Sequence, residues 1–240
     1  VNHDDANSST PADADAAAAQ HPPTVWLEPA GEARVAVLWL HGLDMDPAAI
    51  APLLRSLKLP AVVALPAGPV ARAGAGRAWW PVDDAKRAAR LALGPADLHD
   101  SHPAGRDEAR RIVHASAAAL RARAPGRPLV VAGFSQGAML ALDCVLQAPP
   151  LVVEALALCS ASRLSFAEWE PALHRLRDVH VQLLHGSRDA NLALAAAHAL
   201  RDALEGAQAR VRWSAFDGGH EIPLQAWVGL RRLVRELAQA

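Results

Sequence analysis

The chain has 240 residues, with 24 Lys and Arg against 25 Asp and Glu and a formal net charge of −1 at pH 7. A chain of that length can bury a substantial core as one large α/β domain, without disulfides or metal. So balanced a charge gives no reason to expect nucleic acid or an anionic membrane as the main partner, and a small neutral or mixed substrate fits better.

Residues 1–23, VNHDDANSSTPADADAAAAQHPP, carry aspartates where a signal peptide needs positive charge and alanines where it needs a strongly apolar core. The segment reads as a disordered tail and the protein as cytoplasmic. No run of 18 apolar residues occurs, so no stable membrane insertion is expected. The two cysteines, Cys144 and Cys159, have no disulfide or zinc spacing and read as buried thiols in a reducing compartment.

Residues 24–240 read as a single domain. Short β-branched or leucine-rich runs alternate with helical stretches, the pattern of a mostly parallel central sheet with helices on both faces. Expected strands are Arg34–Leu40, Ala61–Leu65, Pro128–Ala132, Val153–Leu158, Val179–Leu184 and Arg210–Phe216, with Val25–Leu27 as a further edge strand. Helices are expected after the Asp46-Pro47 start, through Ala109, Ile112, Val113 and Leu120, and through Met139, Leu142, Val145 and Leu146. A fourth is expected to be capped by Asn191. The last, from Pro223, should turn Leu224, Trp227, Val228, Val234 and Leu237 inward. Residues 66–105 show no clear elements and read as a long loop at the C-terminal end of a strand, where open α/β sheets place ligand sites.

One stretch carries chemistry. PLVVAGFSQGAMLALDCVL reads strand, GFSQG, helix. A strand-to-helix turn that tight leaves no room for side chains two residues either side of its centre, which Gly133 and Gly137 satisfy. It lifts the Ser135 hydroxyl out of the sheet at a helix N-terminus, as a nucleophile elbow does. Such a serine needs a base, and the base needs an acid to orient it. The loop after VHVQLLHGSRDANL supplies Asp189, and VRWSAFDGGHEIP delivers His220, both at C-terminal strand ends. Asp217 is too close to His220 in sequence and Glu154 lies at the wrong edge. His185 reads as a packed structural histidine. Two N–H groups are needed for an oxyanion: Gln136 follows the serine, and Leu43 follows His41-Gly42 at the end of an early strand. His41 is expected to hold that loop.

LHGLD, GRAWWP, GFSQGA, HGSRD and GGHEIP together resemble, in order, the carboxylesterase/lysophospholipase family of α/β-hydrolases that includes acyl-protein thioesterases, over about residues 34–238. The resemblance implies an α/β-hydrolase fold, a Ser135, Asp189 and His220 triad with Leu43 and Gln136 as oxyanion donors, and hydrolysis of a small-molecule ester or thioester of short or medium acyl chain without a cofactor. ANLALAA after the acid departs from the family's valine- and proline-containing stretch. Trp79 and Trp80 match an aromatic position and are expected to wall the substrate site. Hydrolysis of a lactone or amide, and a non-catalytic binding protein on the same fold, are the alternatives. His99, Asp100 and His102 have ligand chemistry but no second cluster, so no metal is expected. The arginines of RDEARR and LRARAPGR are expected on a solvated face, paired with acids one turn away.

Overall fold

The computed structural model describes residues 23–239, so the expected tail lies, apart from Pro23, outside the described residues. The strands are β1 (Thr24–Leu27), β2 (Val35–Leu40), β3 (Ala61–Pro66), β4 (Val70–Ala71), β5 (Arg77–Ala78), β6 (Leu129–Phe134), β7 (Ala155–Cys159), β8 (His180–Gly186) and β9 (Arg210–Phe216). The helices are α1 (Pro47–Ser56), α2 (Asp84–Leu91), α3 (Arg106–Arg123), α4 (Gln136–Leu146), α5 (Phe166–Trp169), α6 (Leu194–Gly206) and α7 (Leu224–Leu237). A 3₁₀ turn, Glu170–Leu176, continues α5.

Seven strands form one sheet in the order β1-β3-β2-β6-β7-β8-β9. Only β1 runs antiparallel to its neighbour, with Thr24 opposite Pro66 and Leu27 opposite Val63. The strand period of two divides the side chains between the two faces. Ala36, Leu38 and Leu40 of β2 meet α3 and α4 on one face. Val35, Val37 and Trp39 meet α1 and α7 on the other. Burial on both faces explains why β2, β3 and β6 are apolar at nearly every position. The edge strand β9 is largely exposed and carries Arg210 and Arg212, charges that discourage pairing with another chain.

Asp46 caps α1 through its side chain to the Ala48 N–H at 2.9 Å. Asn191, by contrast, does not cap α6. That helix starts at Leu194, because the Asn191 and Leu192 N–H groups both donate to the Asp189 carboxylate. In α7 the buried stripe is Trp227, Leu230, Leu233 and Val234, while Leu224 and Val228 are exposed, contrary to the expected pattern. They lie one turn apart beside a surface groove lined also by Gln182 and Leu184 of β8 and Trp213 of β9.

Arg106 and Arg110 of α3 reach further than their expected local pairs. Arg110 does pair with Asp107. Both guanidiniums also hold Asp143, a fully buried carboxylate of α4, at 3.2 and 2.7 Å, and Trp169 Nε1 donates to it at 2.7 Å. This network ties α3, α4 and α5 together. Arg123 and Arg127 also pair far from their expected local acids, with Glu28 and Glu32. Segment 66–105 is likewise more ordered than a loop, since it contains the β4–β5 hairpin and α2.

The strand sequence turns outward in both directions from the β2–β6 pair. A crevice therefore opens at the C-terminal ends of these two strands, where the chain leaves β2 toward Leu43 and β6 toward Ser135.

Candidate active site

Ser135 sits alone between β6 and α4 with φ 52° and ψ −115°, a left-handed backbone that L residues avoid. The glycines at either side allow the turn. A Cβ on Gly133 would lie 2.7 Å from the Ala138 nitrogen, and one on Gly137 would lie 2.3 Å from the Leu40 carbonyl oxygen. Helix α4 thus starts pressed against the end of β2. The Ser135 hydroxyl makes no capping bond to its own helix, which leaves it available to a neighbour.

That neighbour is His220. Its Nε2 lies 2.9 Å from Ser135 Oγ, and its Nδ1 lies 2.7 Å from Asp189 Oδ2. Three residues separated widely in sequence are brought into one hydrogen-bonded line, each from the C-terminal side of its strand. The second carboxylate oxygen of Asp189 accepts from the Asn191 and Leu192 N–H groups at 2.8 and 2.9 Å. Burial works to raise the Asp189 pKa, but the hydrogen bonds from His220, Leu192 and Asn191 outweigh it, and the net direction is down. The carboxylate is therefore charged at neutral pH and fixes Nδ1 of His220 as the protonated nitrogen, leaving Nε2 to accept a proton from the serine.

His185 is fully buried, with Nε2 3.0 Å from the Leu192 carbonyl and 3.5 Å from Asp189 Oδ2. It packs beneath the acid, away from the serine. Asp217 is exposed and paired with Arg188.

The two amides considered for an oxyanion, Leu43 and Gln136, have no hydrogen-bond partner among the described residues. Leu43, Ser135, Gln136 and His220 all line one cleft. The loop bearing Leu43 is held by His41. Its Nδ1–H donates to the Gly42 carbonyl at 2.7 Å, and its Nε2 accepts from the Gly68 N–H at 2.8 Å. The ring also stacks on Trp79, with centroids 4.8 Å apart. Burial lowers the His41 pKa to about 4, so this ring is neutral and serves as a tie.

Gln136 has a second role that its backbone position alone does not suggest. Its side-chain oxygen accepts from the Trp79 N–H at 2.8 Å, which fastens the segment after β5 to the start of α4. A glutamine after the serine is the sequence signal for such a clamp.

Trp79 and Trp80 part company. Trp80 lines the cleft. Trp79 is fully buried in the core, and its Nε1 donates to the His41 carbonyl at 2.9 Å, so it anchors the wall from behind. Adjacent residues in an extended stretch point to opposite sides, and only one of the pair can face the cleft.

The cleft has a volume of about 490 Å³. Val82, Leu98, Phe134, Met139 and Leu164 give it apolar walls, and Arg87 and Arg90 of α2 give it a basic side. None of these positions was expected at the site; Met139 was read only as part of a helical core stripe. The signal for the arginines was their spacing of three residues just after the tryptophan pair. Of the HDSH loop, His99 contacts Asp97 and Asp100, and His102 contacts Glu168. Among the described residues no group of three or more His, Cys, Asp or Glu side chains is placed to hold a metal ion.

A family model described as phospholipase/carboxylesterase matches residues 23–230. Among solved structures, esterase PE8 is 25% identical over 90% of this chain and 98% of its own, with a TM-score of 0.69. Acyl-protein thioesterase 2 of Zea mays is 19% identical over 91% of this chain and all of its own (100%), with a TM-score of 0.71. A Bacillus cereus carboxylesterase is 14% identical over 95% and 100%, with a TM-score of 0.68. The last two likenesses are of fold alone. Comparison with curated proteins yields no match.

Proposed function

Because the chain belongs to the phospholipase/carboxylesterase family, we propose that it is a serine hydrolase that cleaves carboxylic esters or thioesters of short to medium acyl chains. The observation that carries this reading is the hydrogen-bonded line from Ser135 through His220 to Asp189 at the head of the cleft.

Ser135 Oγ attacks the acyl carbon while His220 Nε2 takes its proton. The carbonyl oxygen becomes an oxyanion between the Leu43 and Gln136 N–H groups, at the positive end of α4. Collapse of this intermediate breaks the bond to the leaving alkoxide or thiolate, which takes the proton from His220. Water then gives a proton to His220 and attacks the acyl-serine. Ser135 leaves as the alcohol by regaining that proton, and the acid product departs. Throughout, Asp189 stabilises the transient imidazolium. Apolar cleft walls of about 490 Å³ suit a short or medium acyl chain.

The test is a panel of p-nitrophenyl esters from acetate to palmitate beside an acyl thioester, with labelling by a fluorophosphonate probe. Turnover of the shorter esters and a probe adduct on Ser135 in folded protein are expected. No adduct and no turnover of any ester or thioester would refute the reading.

A further inference from the structure

Helix α2 buries none of its residues. Core packing therefore does not explain its sequence, DAKRAARL, or its place beside the cleft. Arg87 and Arg90 are three residues apart, on one face of the helix, and both line the cleft that contains Ser135 and His220.

The acids that could neutralise them are engaged elsewhere. Asp44 and Asp84 both hold Arg72, at 2.6 and 2.7 Å. Asp83 caps α2 through the Lys86 N–H. His102, across the cleft, is paired with Glu168. Among the described residues no carboxylate pairs with either guanidinium. Arg90 Nη1 is buried and has no hydrogen-bond partner. Burial, and then the like charge of Arg87, lower the basicity of Arg90. A partly desolvated cation next to a second cation is unfavourable until an anion joins them. The planar fork of each guanidinium suits the paired oxygens of a carboxylate or phosphate.

We propose that Arg87 and Arg90 bind a carboxylate or phosphate on the substrate, remote from the scissile carbonyl, and so select anionic esters over neutral ones. This rests on the hydrolase reading of Ser135.

Two matched pairs test it and separate the two sources of the anion. The first is 4-nitrophenyl hemisuberate against 4-nitrophenyl octanoate, with the carboxylate at the end of the acyl chain. The second is 4-acetoxyphenyl phosphate against phenyl acetate, with the phosphate on the leaving group. In at least one pair the anionic member should have the higher kcat/KM by about tenfold or more, mainly through KM, and the preference should shrink at about 0.5 M NaCl. R87Q and R90Q should each lower that ratio several-fold, and R90K should restore part of it by returning the charge without the fork.

A ratio near one for both pairs in the wild-type protein overturns the proposal, as does a ratio that R87Q and R90Q leave unchanged. Calorimetric binding of suberate separates the two readings. Suberate bound by the wild type and lost in R87Q and R90Q, with no probe adduct on Ser135 and no ester cleaved, supports the anion site and defeats the hydrolase. A Ser135 adduct with ester turnover and no anion preference defeats the site alone.

Discussion

Acidifying the protein from pH 7 to pH 5 should remove about 2 kcal/mol of folding stability through His41 alone. The ring titrates at 6.5 in the unfolded chain and at about 4 in the fold, where burial disfavours its charged form. Between those values the unfolded state binds more protons than the folded state, so stability falls as the pH falls. The contribution is fully present above 6.5, is reduced by about 3 kcal/mol at pH 4, and changes little below that, where both states are charged. Urea unfolding of wild type and His41→Gln at pH 7 and pH 5 checks it. The variant loses the stack on Trp79 and is less stable at both pH values, but only the change between them is used. His114 and His185 also titrate below the ordinary histidine range, through burial, and act equally in both proteins. The wild type should therefore lose about 2 kcal/mol more than His41→Gln on acidification. Equal losses would refute the neutral, two-sided tie assigned to this ring.

Ser135→Ala should lower ester hydrolysis by at least about 10³-fold with the thermal midpoint nearly unchanged, since the hydroxyl caps nothing. Asp143→Ala should destabilise by about 3–5 kcal/mol, because Arg106, Arg110 and Trp169 all lose their buried acceptor. In a domain of this size that is a fall of roughly 10 °C in Tm, readable by calorimetry, and a fall below about 2 °C would count against the network. Trp80→Ala should weaken longer acyl esters more than acetate in a chain-length series of kcat/KM. Trp79→Ala should instead cost about 3–5 kcal/mol of stability and reduce all chain lengths in parallel.

The strands were legible because both faces of the sheet are buried, so β2, β3 and β6 announce themselves as continuous apolar runs. Gly133 and Gly137 were legible for a steric reason, since no other residue fits against Ala138 and Leu40. Helix α2 was not, because a helix that buries nothing has no apolar stripe and only Asp83 marks its start. Asn191 misled because other acceptors hold the amides around it. The Asn191 and Leu192 amides turn to Asp189 and the Ala193 amide to the Ala96 carbonyl, so the chain stays extended past Asn191 and the helix begins only at Leu194. Asp143 reads as an ordinary polar residue of α4, and only the approach of α3 reveals that it is enclosed. Trp79 and Trp80 were read as a pair, although an extended backbone sends neighbours to opposite sides.

Segment 66–105 leaves the sheet at β3 and returns at the start of α3, and around Ser135 it is held at a few points. His41 takes the Gly68 amide, Gln136 takes the Trp79 amide, and Asp44 takes Arg72. Two of these three fastenings are made to main-chain groups of the segment, which any replacement sequence would also offer. The buried Trp79 side chain, whose Nε1 donates to the His41 carbonyl, is the anchor that a replacement would have to keep. A different insert of similar span, docked on the same side chains, would bring its own wall and its own charges to the cleft while the strand ends that carry Ser135, Asp189 and His220 stay as they are. Selectivity could then diverge between descendants of this fold by recombination in a single stretch of gene.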